Sequence, residues 1–155
     1  MKKQKRWQLA EESDVIVAVV GGSSSRFGGA VFDANGAASK GTGSRSMDCG
    51  EGMDTAKVHI PAAQEELIAA LARLGKPLVT VVIAGRAYCI EKIENASDAV
   101  LYAFYPGPMG GKAVAELLYG SSNPSGRLPV SMPRHVDRSR YATIIGLPLP
   151  RRTVI

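Results

Sequence analysis

Cysteine and histidine are scarce in this 155-residue chain, two of each, and their scarcity excludes whole classes of chemistry. Cys49 and Cys89 make no disulfide framework and no metal-ligand spacing, and His59 and His135 lie far apart. No metal and no other cofactor is therefore expected; Cys89 reads as a buried thiol and Cys49 as a loop thiol. Aromatic residues are also few, 6% of the chain. A single-stranded nucleic-acid surface interleaves basic with aromatic side chains, and near the basic N-terminus only Trp7 offers that. Long apolar runs are missing too: no stretch approaches the roughly 20 residues of a spanning helix. The opening MKKQKRWQLAEE lacks the apolar centre of a signal peptide. These absences predict a soluble, cytoplasmic protein with no nucleic-acid and no membrane partner.

What is present is ordinary globular composition, 45% hydrophobic and 21% charged, at a length that suits one domain. The net charge of +5 is gathered largely in two terminal patches, Lys2, Lys3, Lys5, Arg6 and Arg138, Arg140, Arg151, Arg152, which read as solvated tails. A short helix is expected over Gln4 to Glu12. Val15 to Val20 is a continuous apolar run of the kind a parallel strand buries on both faces, and Gly21-Gly22 ends it. From Ser23 to about Ile60 the chain is rich in Gly, Ser and Ala without periodicity, and a connection of that length inside a compact domain is functional or disordered.

Pro61 then marks a helix start, Leu67, Ile68, Leu71 and Leu74 recur on one face, and Gly75 supplies the stop. A second strand spans Leu78 to Ala84, a short helix Ala87 to Glu94, a third strand Ala99 to Tyr105. Val114, Leu117 and Leu118 give a further helix closed by Gly120. This alternation predicts an α/β fold, an open, mostly parallel sheet flanked by helices in three layers. Arg127 to Pro133 is expected as a short extended edge, because proline is tolerated there.

Several segments, taken in order, carry a resemblance: DVIVAVVGGSS, MDCGEGMD, AAQEELIAAL, GKPLVTVVIAGR, SDAVLYAFYPGPMGGKAVAELLYG and NPSGRLPVSMP. Together they are similar to the C-terminal α/β sandwich domain of glycoside hydrolase family 3, over Ser13 to Pro133. The resemblance implies a partial domain over 1–138, shortened at its N-terminal strand, followed by a divergent tail at 139–155. It also implies a partner, the family's barrel domain, which carries an aspartate nucleophile, and a carbohydrate substrate of the β-glucoside type.

Retaining glycoside hydrolysis needs two carboxyl groups about 5 Å apart, one to attack the anomeric carbon and one to protonate the leaving oxygen and then activate water. The GEGxD pattern of the family matches Gly50 to Asp54 here, so the resemblance makes Glu51 the acid/base. Read from pattern alone, Glu51 is an exposed loop carboxylate whose flanking glycines leave it free to project. Asp54 falls in the same motif, as a loop-orienting or substrate-binding carboxylate or as a plain turn residue. Where similar members carry arginine next, this chain has Thr55. Arg26 and Phe27 open the long loop and Arg45 lies within it; they are the remaining substrate-binding candidates, with spacer roles as the alternative. Asp48 is an alternative acid, and His59 reads as structural.

Pro106, Gly107, Gly110 and Gly111 lack the spacing of a phosphate-binding loop, and Gly111 leads into Lys112-Ala113 rather than Lys-Ser/Thr; tight turns account for them. Two functions follow, with nucleotide binding by an open α/β sheet as a third reading on fold analogy alone. One is a β-glucosidase-like half that donates Glu51 and is inactive without the barrel. The other is a non-catalytic module that binds a sugar or a partner protein.

Overall fold

The computed structural model describes residues 2–24, 31–32, 34–35, 38–39, 48–49 and 58–134. In chain order these form α1 (Lys2–Glu12), β1 (Ile16–Gly21), β2 (Val31–Phe32), β3 (Ala38–Ser39), α2 (Ala62–Ala72), β4 (Leu78–Ile83), α3 (Glu91–Ala96), β5 (Ala99–Tyr102) and α4 (Gly110–Leu118). The main sheet has the order β1-β4-β5 and is parallel throughout, with Ile16 opposite Leu78, Val20 opposite Val82, and Val82 opposite Tyr102. The short β2 and β3 pair antiparallel as a separate ribbon. The α/β class with a parallel sheet is thus as expected, and each parallel step is bridged by a helix.

One face of the sheet forms the core. Ile16, Ala18, Val20, Leu78, Val82, Val100 and Tyr102 meet Ile68 and Leu71 of α2, Ile93 of α3, and Ile60, Tyr88 and Ile90 from the connections. β-Branched residues dominate β1 and β4 because they lose little χ1 freedom on a pleated surface and pack well there. Pro61 takes an extended conformation just before α2, and its carbonyl accepts from Gln64 at 2.8 Å. Gly75, at φ 67, ends the turn after α2 in a left-handed conformation that glycine adopts without a Cβ penalty. Buried within this layer, the hydroxyls of Thr80 and Ser97 satisfy each other at 2.8 Å. Lys92 and Glu65, 2.8 Å apart, tie α3 to α2 at the surface.

Four expectations change. β1 is an edge strand whose faces alternate: Ile16, Ala18 and Val20 are buried, while Val17 and Val19 are 47% and 61% exposed. The apolar run therefore does not report cover on both sides. The third helix begins at Glu91, not near Ala87, because the backbone before it is engaged elsewhere: Cys89 bridges His59 and its N–H donates to Val58 at 2.6 Å. β5 ends at Tyr102 because Phe104 turns to φ 49. Arg127 to Pro133 is irregular rather than a strand, since Pro129 and Pro133 cannot donate to a ladder; Leu128 and Met132 nevertheless pack against the core. Residues 139–155, expected from the sequence as a divergent tail, lie outside the described residues. Among the described residues no helix is long and apolar enough to cross a membrane.

Candidate active site

In open parallel sheets ligands bind beyond the carboxyl ends of the strands. Here those ends are Gly21 to Ser24 after β1, Ala84 to Tyr88 after β4, and Ala103 to Tyr105 after β5. Their local structure is tightly determined. Gly21 has φ 149, and a Cβ on it would sit 1.7 Å from the Ile83 carbonyl oxygen, so only glycine fits. The side-chain amide of Gln64 pairs with both of its main-chain groups, accepting from the N–H at 2.7 Å and donating to the carbonyl at 2.9 Å. Thus the first turn of α2 fixes the exit of β1.

Asp48 and Cys49 lie across these ends. The main-chain N–H of Asp48 donates to the Ser23 carbonyl at 3.0 Å, and the Ser23 N–H donates back to Asp48 Oδ1 at 2.7 Å. The approach is close: a Cβ on Gly22 would lie 2.2 Å from Asp48 Oδ2. Cys49 Sγ and the Tyr105 hydroxyl are 3.0 Å apart, over Gly85, where a Cβ would meet the Tyr105 ring at 2.5 Å and Cys49 Sγ at 2.8 Å. Cys49 is therefore a buried thiol as well as a loop thiol, 4% exposed.

Three tyrosines surround this contact, all with phenols held neutral. Burial, then the nearby Asp48 carboxylate, pushes the Tyr88 pKa well above its ordinary value. Tyr88 is 1% exposed, and its hydroxyl makes no hydrogen bond among the described residues. Burial also raises Tyr102, whose hydroxyl donates to the Arg86 carbonyl and accepts from the Tyr88 N–H at 3.3 Å. Tyr105 is raised by burial and then by Cys49. The Tyr102 and Phe104 rings pack with centroids 4.8 Å apart.

Of the residues picked from the sequence, Glu51, Asp54, Arg26, Phe27 and Arg45 lie outside the described residues. Asp48, the alternative acid, is placed against Ser23 and Gly22. His59 Nδ1 lies 2.9 Å from the Ile60 carbonyl oxygen, and its backbone bridges Cys89, next to Tyr88. Sequence reasoning missed Tyr88 and Tyr105. Tyr105 had a usable signal, its place at the end of an apolar run directly before Pro106-Gly107; Tyr88 had none, since a lone tyrosine after a strand is most often core. Among the described residues no group of three or more His, Cys, Asp or Glu side chains could hold a metal ion.

Comparison with known proteins gives a consistent result. Residues 2–149 match the family model described as the glycosyl hydrolase family 3 C-terminal domain. The chain is 38% identical over 131 residues to the periplasmic beta-glucosidase of Salmonella typhimurium, covering 84% of this chain and 14% of that protein. It is 39% identical over 96 residues to a beta-xylosidase of Formosa agariphila, covering 62% of this chain and 13% of the relative. Among solved structures, the beta-glucosidase from Listeria innocua in complex with gluconolactone superposes with a TM-score of 0.69 at 28% identity, over 88% of this chain and 16% of that one. The chain thus spans about a seventh of the length of the curated relatives it matches.

Proposed function

The chain belongs to the glycosyl hydrolase family 3 C-terminal domain family, and from that premise we propose that it is the acid/base-donating domain of a retaining, β-glucosidase-like hydrolase. Glu51 protonates the leaving oxygen and then, as the carboxylate, activates the water that releases the sugar. The nucleophile comes from a barrel domain, so the chain alone turns over no glycoside. Arg26, Phe27, Arg45 and Asp54 contact the sugar or hold the loop that carries Glu51.

One observation supports this reading above the others: the segment three residues before Glu51 is bonded to the carboxyl ends of β1 and β5. Asp48 and Cys49 precede Glu51 in the sequence by three and two residues. A parallel sheet presents its ligand crevice at those carboxyl ends. The relatives' names support a glycoside as substrate, a beta-glucosidase in one and a beta-xylosidase in another.

The test is reconstitution. The chain is mixed with the separately expressed barrel half of a related enzyme, and hydrolysis of an aryl β-glucoside is followed. Activity is expected only in the mixture, falling by at least about a hundredfold with Glu51→Gln. Association of the two halves without turnover would favour a non-catalytic sugar- or partner-binding module instead.

A further inference from the structure

Among the described residues Asp48 is the one carboxylate at these strand ends, and its bonds face the chain. We propose that Asp48 is a positioning residue, which clips the root of the acidic loop to the sheet and thereby sets where Glu51 is presented; this rests on the reading of Glu51 as the acid/base. Asp48 closes a ring with a single residue, Ser23, using its own N–H in one direction and its carboxylate in the other, at 3.0 and 2.7 Å. Gly22 permits the approach, since any side chain there would collide with the carboxylate. The next residue makes a second hold on a different strand end, Cys49 Sγ against the Tyr105 hydroxyl at 3.0 Å. Two successive residues are thus fixed to the exits of β1 and β5, and only Gly50 separates them from Glu51.

Both carboxylate oxygens of Asp48 face its own chain, Oδ1 accepting the Ser23 N–H and Oδ2 lying over Gly22. Ground-state placement of an acid matters because a displacement of about 1 Å costs on the order of a hundredfold in rate.

Cys49 reports on the clip directly. The chain is exposed to a thiol reagent, and labelling at Cys49 and Cys89 is followed separately by mass spectrometry. Cys89 is buried elsewhere, its thiol donating to the Arg134 carbonyl at 3.0 Å, and so reports global opening. Asp48→Ala is expected to speed labelling of Cys49 about tenfold or more, with Cys89 unchanged. Asp48→Asn keeps a carbonyl oxygen for the Ser23 N–H and should stay within about threefold of the unaltered chain. Equal Cys49 labelling with and without Asp48→Ala overturns the clip, as does a matching rise at both cysteines, which reports general instability.

A second readout separates positioning from mere structure. In the reconstituted enzyme, Asp48→Ala should slow a glucoside with a poor aryl leaving group about tenfold more than a dinitrophenyl glucoside, which departs without protonation. Equal losses on both substrates overturn the positioning role. If Glu51→Gln leaves full activity, the functional reading falls, while the labelling result still decides the clip.

Discussion

The two faces of β1 carry nearly the same residues and meet opposite surroundings. Ile16, Ala18 and Val20 are sealed beneath α2, whereas Val15, Val17 and Val19, interleaved with them, are 51%, 47% and 61% exposed. Hydropathy therefore says that a strand can be covered, not that it is. The central strand shows the difference: Val81 on the outward side of β4 is fully buried, while Val17 and Val19 on β1, at the sheet edge among the described residues, are not.

Substitutions can break or sharpen this comparison. The largest effect is expected at Gly21, where the strand exits toward the site. Gly21→Ala places a Cβ against backbone in a φ that alanine disfavours, and should cost more than about 4 kcal/mol. Urea unfolding measures it, and a cost near zero would show that the β1 exit is loosely held. Next is the covering helix. Ile68→Ala empties a fully buried position under β1 and should cost about 3 kcal/mol, with an unchanged urea m-value.

A third effect is electrostatic. Tyr88 has a folded pKa raised above its unfolded value near 10, so the unfolded chain loses that proton first as pH rises. Its contribution to stability is intact below pH 10 and is lost above it, at about 1.4 kcal/mol per pH unit. Melts taken between pH 9 and 11 should show this slope, and Tyr88→Phe should flatten part of it. The smallest effect on stability lies on the open face. Val19→Thr should change stability by less than about 0.5 kcal/mol, while reducing the self-association that exposed apolar strand faces and unpaired edges promote. Sedimentation at several concentrations checks this; a loss comparable to that of Ile68→Ala would mean that the outer face is covered after all.

Where the chain's periodicity is complete, the fold was legible. The α2 pattern between Pro61 and Gly75 and the β4 run both appear at the expected places. Boundaries shifted where a longer-range bond overrode the local pattern: the Cys89–His59 bridge delayed α3, and the left-handed Phe104 shortened β5. The cover on β1 was not legible at all, since it depends on neighbours rather than on the residues of the strand. Much of the site was illegible for a related reason. Nothing in the spacing of Ser23, Asp48, Gly85 and Tyr105 along the chain announces that three strand exits and the long connection meet there. Resemblance pointed to Glu51, whereas the bonds that Asp48 and Cys49 make to the strand exits came only with the fold.

The most direct test of the central claim is the product formed when azide is supplied to the reconstituted enzyme carrying Glu51→Gln. Under the proposed function, Glu51→Gln removes the acid/base and spares the nucleophile, so an activated aryl glucoside should still load the barrel's carboxylate and azide should then displace it from the opposite face. Proton NMR should show the β-glucosyl azide, formed with net retention after two displacements. The α-glucosyl azide would instead make Glu51 the displaced nucleophile, and hydrolysis at the unaltered rate without any azide adduct would remove Glu51 from the chemistry.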